Sequence, residues 1–89
     1  MEVKISEEKN GYIIEFMEIS KTFVYLLNDE LKKLKNVEEA VIMKVHPYYE
    51  NPKIWLKLNN GKPKEILKEA IDNLIEKFEK IEKLFESSK

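Results

Sequence analysis

From Pro63 to about Ser87 nothing in the chain breaks a helix, and no other feature restricts the fold as strongly. Pro63 suits a first helical position and Glu65 the first turn. Glu76 with Lys80, and Glu79 with Lys83, add favourable pairs one turn apart. Leu67, Ile71, Leu74, Phe78, Ile81 and Phe85 follow one another at spacings of 4, 3, 4, 3 and 4, a coiled-coil-like seam that is too short for a coiled coil proper. Ile66, Ala70 and Leu84 widen this seam on one side and Ile75 on the other. The apolar arc becomes about 180° wide, more than a helix resting on one surface requires. A helix of about 24 residues is roughly 36 Å long. The whole chain has 89 residues, enough for one domain with a modest core.

The remaining elements are short. "EVKIS" alternates polar and apolar, with Val3 and Ile5 on one side. "EEKNG" reads as a turn in which Gly11 is free to take a positive φ. "YIIEFME" alternates again, setting Tyr12, Ile14 and Phe16 against Ile13, Glu15 and Met17, so the two segments predict an antiparallel hairpin. Ser20 is placed to cap a helix. Along it Phe23, Val24, Leu27, Leu31 and Leu34 span an arc of about 100°, and Asn36 can end it. "VEEAVIMKVHP" is rich in β-branched residues, with Val41, Met43 and Val45 on a shared side, and Pro47 stops it. "PYYENP" connects to "KIWLKLNNG", a strand with Ile54, Leu56 and Leu58 inward and Trp55 outward between Lys53 and Lys57. A second antiparallel hairpin is the simplest pairing. The order β-β-α-β-β-α predicts an α+β fold, a four-stranded antiparallel sheet with both helices on one face.

That fold cannot shelter its own last helix. Four strands make a sheet about 15 to 20 Å wide, and strands of seven or eight residues reach about 25 Å. The helix overhangs in any orientation, and its last two turns carry Phe78, Ile81, Leu84 and Phe85. Leaving these wet forgoes about 6 to 12 kcal/mol at about 1.5 to 3 each, against a total stability of about 5 to 15 kcal/mol for a small domain. A second chain is expected to cover them. The competing expectation is a kinked or frayed end folded back on its own sheet. The first helix has a smaller surplus: Ile19 and Leu26 lie on one edge of its main face and Tyr25 points further round. The last helix could cover that edge, leaving Tyr25 merely exposed. Helix-on-helix pairing at about +20° would suit a four-helix layer.

Composition removes several functions. There is no Cys, so disulfides and thiolate zinc sites are excluded. All sixteen basic residues are Lys, the formal charge is −1, and Arg, the residue suited to bidentate guanine and phosphate contacts, is absent. His46 stands alone, without a nucleophile at a recognisable spacing or a second imidazole, and is read as ordering a turn. Glu38 and Glu39 are adjacent strand residues that point to opposite faces. Gly11 and Gly61 are isolated, so no phosphate-cradling loop is present. Neither catalytic, cofactor-binding nor metal-binding residues are expected. Tyr48, Tyr49 and Trp55 could make an aromatic platform for bases, which leaves a nucleic-acid-binding module as one alternative and a homodimeric scaffold as another. No run approaches the roughly 18 apolar residues of a membrane span. The first residues lack an apolar signal core, and a soluble cytoplasmic protein is expected. Dense Glu and Lys without Gln or Cys also fits a hot environment.

With these residues in view, the chain resembles archaeal RNA polymerase subunit L, a family related to the eleventh subunit of eukaryotic RNA polymerase II and to the assembly domain of the bacterial α subunit. The family opens its first helix with His-Thr-Leu-x-Asn-Leu-Leu-Arg. Here "KTFVYLLN" keeps Thr22, Leu26 and Leu27, changes Leu conservatively to Phe23, and departs at Lys21, Tyr25 and Asn28. Val37, Ala40, His46 and Pro47 match the next motif at its spacing, and Pro63, Leu67, Ala70 and Leu74 the final helix. The match runs over roughly residues 2 to 86. The resemblance implies a non-catalytic RNA polymerase assembly and dimerisation domain spanning 1–89, without cofactor. It would pair through its helices with the polymerase's D-type subunit, and the heterodimer would nucleate assembly of the large catalytic subunits. The absence of Arg leaves no sequence-specific DNA contact expected, and the surplus helix surface alone would also allow the isolated chain a homodimer. Together with the surplus surface, the resemblance makes Ile19, Thr22, Tyr25, Leu26, Phe78, Ile81, Leu84 and Phe85 the expected partner interface.

Overall fold

The structure, a computed structural model, describes residues 2–43 and 51–87. Of residues 85–87 it describes the helical backbone alone. The elements run β1 (Glu2–Glu8), β2 (Gly11–Met17), α1 (Lys21–Lys32), β3 (Val37–Ile42), β4 (Lys53–Leu58) and α2 (Pro63–Ser87). All four strands join one antiparallel sheet in the order β1-β2-β4-β3. This is the predicted β-β-α-β-β-α architecture.

Alternation decides which residues enter the core. Ile14 and Phe16 of β2, Ile54 and Leu56 of β4 and Ala40 of β3 are buried on one side of the sheet. Val24, Leu27 and Leu31 of α1 and Ile66, Leu67, Ala70 and Leu74 of α2 close over them in a single cluster. On β3, Ala40 and Ile42 face that cluster, so Val41 takes the outer side, where it pairs across from Trp55. Val45 lies outside the described residues, as do His46, Pro47, Tyr48 and Tyr49. A bulge falls between Val37 and Glu39. Glu38 and Glu39 are both exposed, with Glu38 3.9 Å from Lys57.

Local chemistry sets the boundaries of α1. Ser20 caps it, its Oγ accepting the amide proton of Phe23 at 3.1 Å and so satisfying one of the unpaired donors of the first turn. The helix stops earlier than Asn36. It ends at Lys32, where the amides of Lys33 and Leu34 turn back onto the carbonyls of Glu30 and Leu31. Asn36 instead ties the next turn to the sheet, its carbonyl accepting from the Asn59 amide at 2.8 Å.

Gly11 also has a different reason from the expected one. Its φ is not positive; among the glycines only Gly61 is left-handed, at φ 88. A Cβ on Gly11 would lie 2.7 Å from the Leu56 carbonyl oxygen and 2.8 Å from the Trp55 ring. Glycine is needed there because a neighbouring backbone and an indole approach too closely for any side chain.

Candidate protein-docking surface

The last helix leaves its own domain behind. Its 25 residues extend about 37 Å at 1.5 Å each. Ile66, Leu67, Ala70 and Leu74 are buried, and Leu74 is the last of them. From Ile75 to Leu84 every side chain is exposed. These include Ile75, Phe78, Ile81 and Leu84, at 46%, 48%, 49% and 69%. Its backbone stays helical to Ser87, and the side chains from Ile75 to Leu84 are not folded back against the sheet.

Leu26 of α1 and Leu74, Phe78 and Ile81 of α2 line a groove of about 270 Å³ between the two helices, together with Asp29, Glu30, Lys33 and Lys77. Its apolar part therefore combines Leu26, Phe78 and Ile81, three residues singled out in the sequence. Tyr25, 58% exposed, and Thr22 stand in the open on α1. Leu84 is exposed towards the end of α2. Ile19 is half-buried and packs against the core rather than standing free. The side chain of Phe85 is outside the described residues. Ile75 belongs with the exposed ribbon; its signal in the sequence was its place on the wide side of the stripe.

Sequence reasoning did not reach the polar part of the groove. Glu30 is buried, with 6% of its surface exposed. One oxygen, Oε2, accepts hydrogen bonds from Lys77 Nζ at 2.5 Å and from Lys33 Nζ at 3.2 Å. The Lys77 hydrogen bond holds the Glu30 carboxyl below its ordinary value of 4.5, against burial, which pushes the other way; Lys33 adds to the lowering. The same hydrogen bond raises Lys77. A buried carboxylate is tolerated when it is paired and hydrogen-bonded in this way. Lys77 and Glu30 are 47 positions apart, so no local spacing announces the contact.

Two other surfaces compare poorly as sites. A larger polar cleft of about 450 Å³ lies between the β1–β2 turn and the β4–α2 loop and is a gap between two turns. On the outer face of the sheet Trp55 stands between Ile13 and Val41 in register. Its flanking lysines meet acids: Lys57 lies near Glu38, and Lys53 pairs in register with Glu15. A base-stacking platform needs uncompensated cations beside the ring. Among the described residues no group of three His, Cys, Asp or Glu could hold a metal ion, and no helix is long and apolar enough to cross a membrane.

Comparison with known proteins agrees with a docking surface. Residues 12–84 match the RNA polymerase Rpb3/Rpb11 dimerisation domain. DNA-directed RNA polymerase subunit Rpo11 of Thermoplasma acidophilum is 33% identical over 75 residues, 84% of this chain and 68% of its own length. Its counterpart in Picrophilus torridus is 30% identical over 92 residues, 96% of this chain and 92% of its own. The crystal structure of DNA-directed RNA polymerase subunit L from Thermoplasma acidophilum superposes with a TM-score of 0.81 at 28% identity, covering 98% of this chain and 87% of that one. An overhanging helix with an open apolar face thus occurs in a chain that belongs to the RNA polymerase Rpb3/Rpb11 dimerisation-domain family, as an Rpb11/L-type subunit.

Proposed function

We propose that this chain pairs through α1 and the distal half of α2 with the D-type subunit of an RNA polymerase, and that the heterodimer is the platform on which the large catalytic subunits assemble. The role is structural and not catalytic, in a cytoplasmic complex. The observation that carries this reading is the ribbon Ile75, Phe78, Ile81 and Leu84, which continues the core-forming stripe of α2 beyond the point where its own sheet can cover it. Exposed apolar surface of this continuity marks an interaction site, and its geometry suits helix-on-helix packing. Without its partner the chain would bury the ribbon against a second copy.

Co-expression with a D-type subunit tests the proposal. An equimolar complex that survives gel filtration is the expected result. A chain that stays a well-folded monomer at high concentration and ignores that partner overturns it.

A further inference from the structure

The burial of α2 ends at Leu74, and three residues later Lys77 reaches across to Glu30. Among the described ion pairs this is the one that joins the two helices. It lies at the mouth of the groove, where α2 leaves the body of the domain. Apolar contacts upstream hold α2 down but are non-directional. A charge-assisted hydrogen bond is short and directional, so its two partners must stay within reach of each other. Lys33, the residue that caps the end of α1, meets the same carboxylate oxygen and holds the Glu30 side chain in place from its own end of the helix.

We propose that Glu30 is a positioning residue for docking. Through Lys77 it sets the direction in which the exposed half of α2 projects from α1, so that Leu26 and Phe78 meet one partner surface together. This rests on the proposed docking role and adds to it a device for partner recognition. Removing the contact leaves the ribbon intact but lets α2 swing. If the aligned arrangement falls to about a tenth of the population, partner affinity falls about tenfold.

The chain has no cysteine, so Lys32→Cys with Glu82→Cys, both at exposed positions, give a clean pair of spin labels on the two helices. In the wild-type background the distance distribution is expected to be narrow. Glu30→Gln keeps the side-chain size, and Lys77→Gln removes the same contact from its solvent-exposed end, so a folding defect in the first leaves the second informative. Both are expected to broaden the distribution and to weaken binding to the partner about tenfold. Lys77→Arg restores both, and Glu76→Gln, which removes an exposed pair within α2, changes neither. An unchanged distribution in both Gln variants overturns the inference, as does a broadened one with undiminished affinity. If the wild-type chain forms no complex at all, the functional reading falls and this role with it, while the label distances still report whether the contact aligns the helices.

Discussion

Removing the Phe78 ring measures how much of the docking energy the overhang holds. Phenylalanine buries about 150 to 250 Å² in a fully packed site. Phe78 leaves 48% of its surface exposed, which amounts to about 70 to 120 Å² still open to a partner. At about 25 cal/mol per Å² that surface is worth about 2 to 3 kcal/mol when covered. Each 1.4 kcal/mol or so is a factor of ten, so Phe78→Ala should weaken the proposed heterodimer about 30- to 150-fold. Converting area to an absolute affinity fails because association itself carries a large entropic cost. That cost is common to both chains and drops out of their ratio.

Isothermal titration of the wild-type and Phe78→Ala chains with a D-type subunit reads the ratio directly. Urea unfolding of each isolated chain shows that the variant is folded at the temperature used. Val41→Ala is the matched control. Val41 is 45% exposed, close to Phe78, but lies on the outer face of the sheet, away from both helices. It should leave the affinity within about twofold. A Phe78→Ala chain that binds within about threefold of wild type, or an equal loss from Val41→Ala, refutes the reasoning.

Three further outcomes follow from local geometry. Ser20→Ala removes the cap of α1 and should cost about 1 kcal/mol, lowering the melting temperature by about 4 to 8 °C in a domain of this size, readable by circular dichroism. Gly11→Ala forces a methyl group against the Leu56 carbonyl and the Trp55 ring and should cost about 1 to 3 kcal/mol by urea unfolding. Glu30 is held below its ordinary 4.5 by Lys77 first and then Lys33, and Asp29 also lines the groove. A depressed carboxyl contributes stability that is full above the ordinary value and is lost as pH falls through 4.5 towards the folded value. Urea midpoints measured between about pH 3 and 7 should therefore fall less steeply below pH 4.5 in Glu30→Gln than in wild type.

Much of this was legible because local signals and tertiary demands agree. Ser20 caps a helix, Pro63 opens one, and Ile14, Phe16, Ile54 and Leu56 alternate into the core as their period requires. Where a position is decided by a neighbour distant in sequence, the signals fail. The strand order depends on which hairpin edges meet, β2 against β4 here, and each hairpin has two edges to offer. Asn36 has the chemistry of a helix terminator, but the Leu34 amide bonds the Leu31 carbonyl first and the helix is already over. Ala40 contributes less apolar area than Val41, but register gives it the core side, opposite Leu56. The candidate surface divides the same way. Phe78, Ile81 and Leu84 follow from spacing and length; Glu30 with Lys77 does not, because a contact between helices has no period in either.

Along α2 a single period serves two environments. Leu67 and Leu74 face the domain's own core, while Phe78 and Ile81, next on the same stripe, face the groove and the open end. Nothing in the spacing changes between them; what changes is that the sheet beneath runs out. A helix continuing past its support has fewer side chains to set its direction, and the hydrophobic effect by itself is non-directional. The place where support ends is also where Lys77 finds a buried carboxylate on the other helix. An apolar pair there could hold the helices together as firmly, since a buried ion pair is weak evidence for stability. It would lack the directional contact between Lys77 and Glu30, and the proposed docking face, built from residues on two helices, depends on how those helices are set against each other.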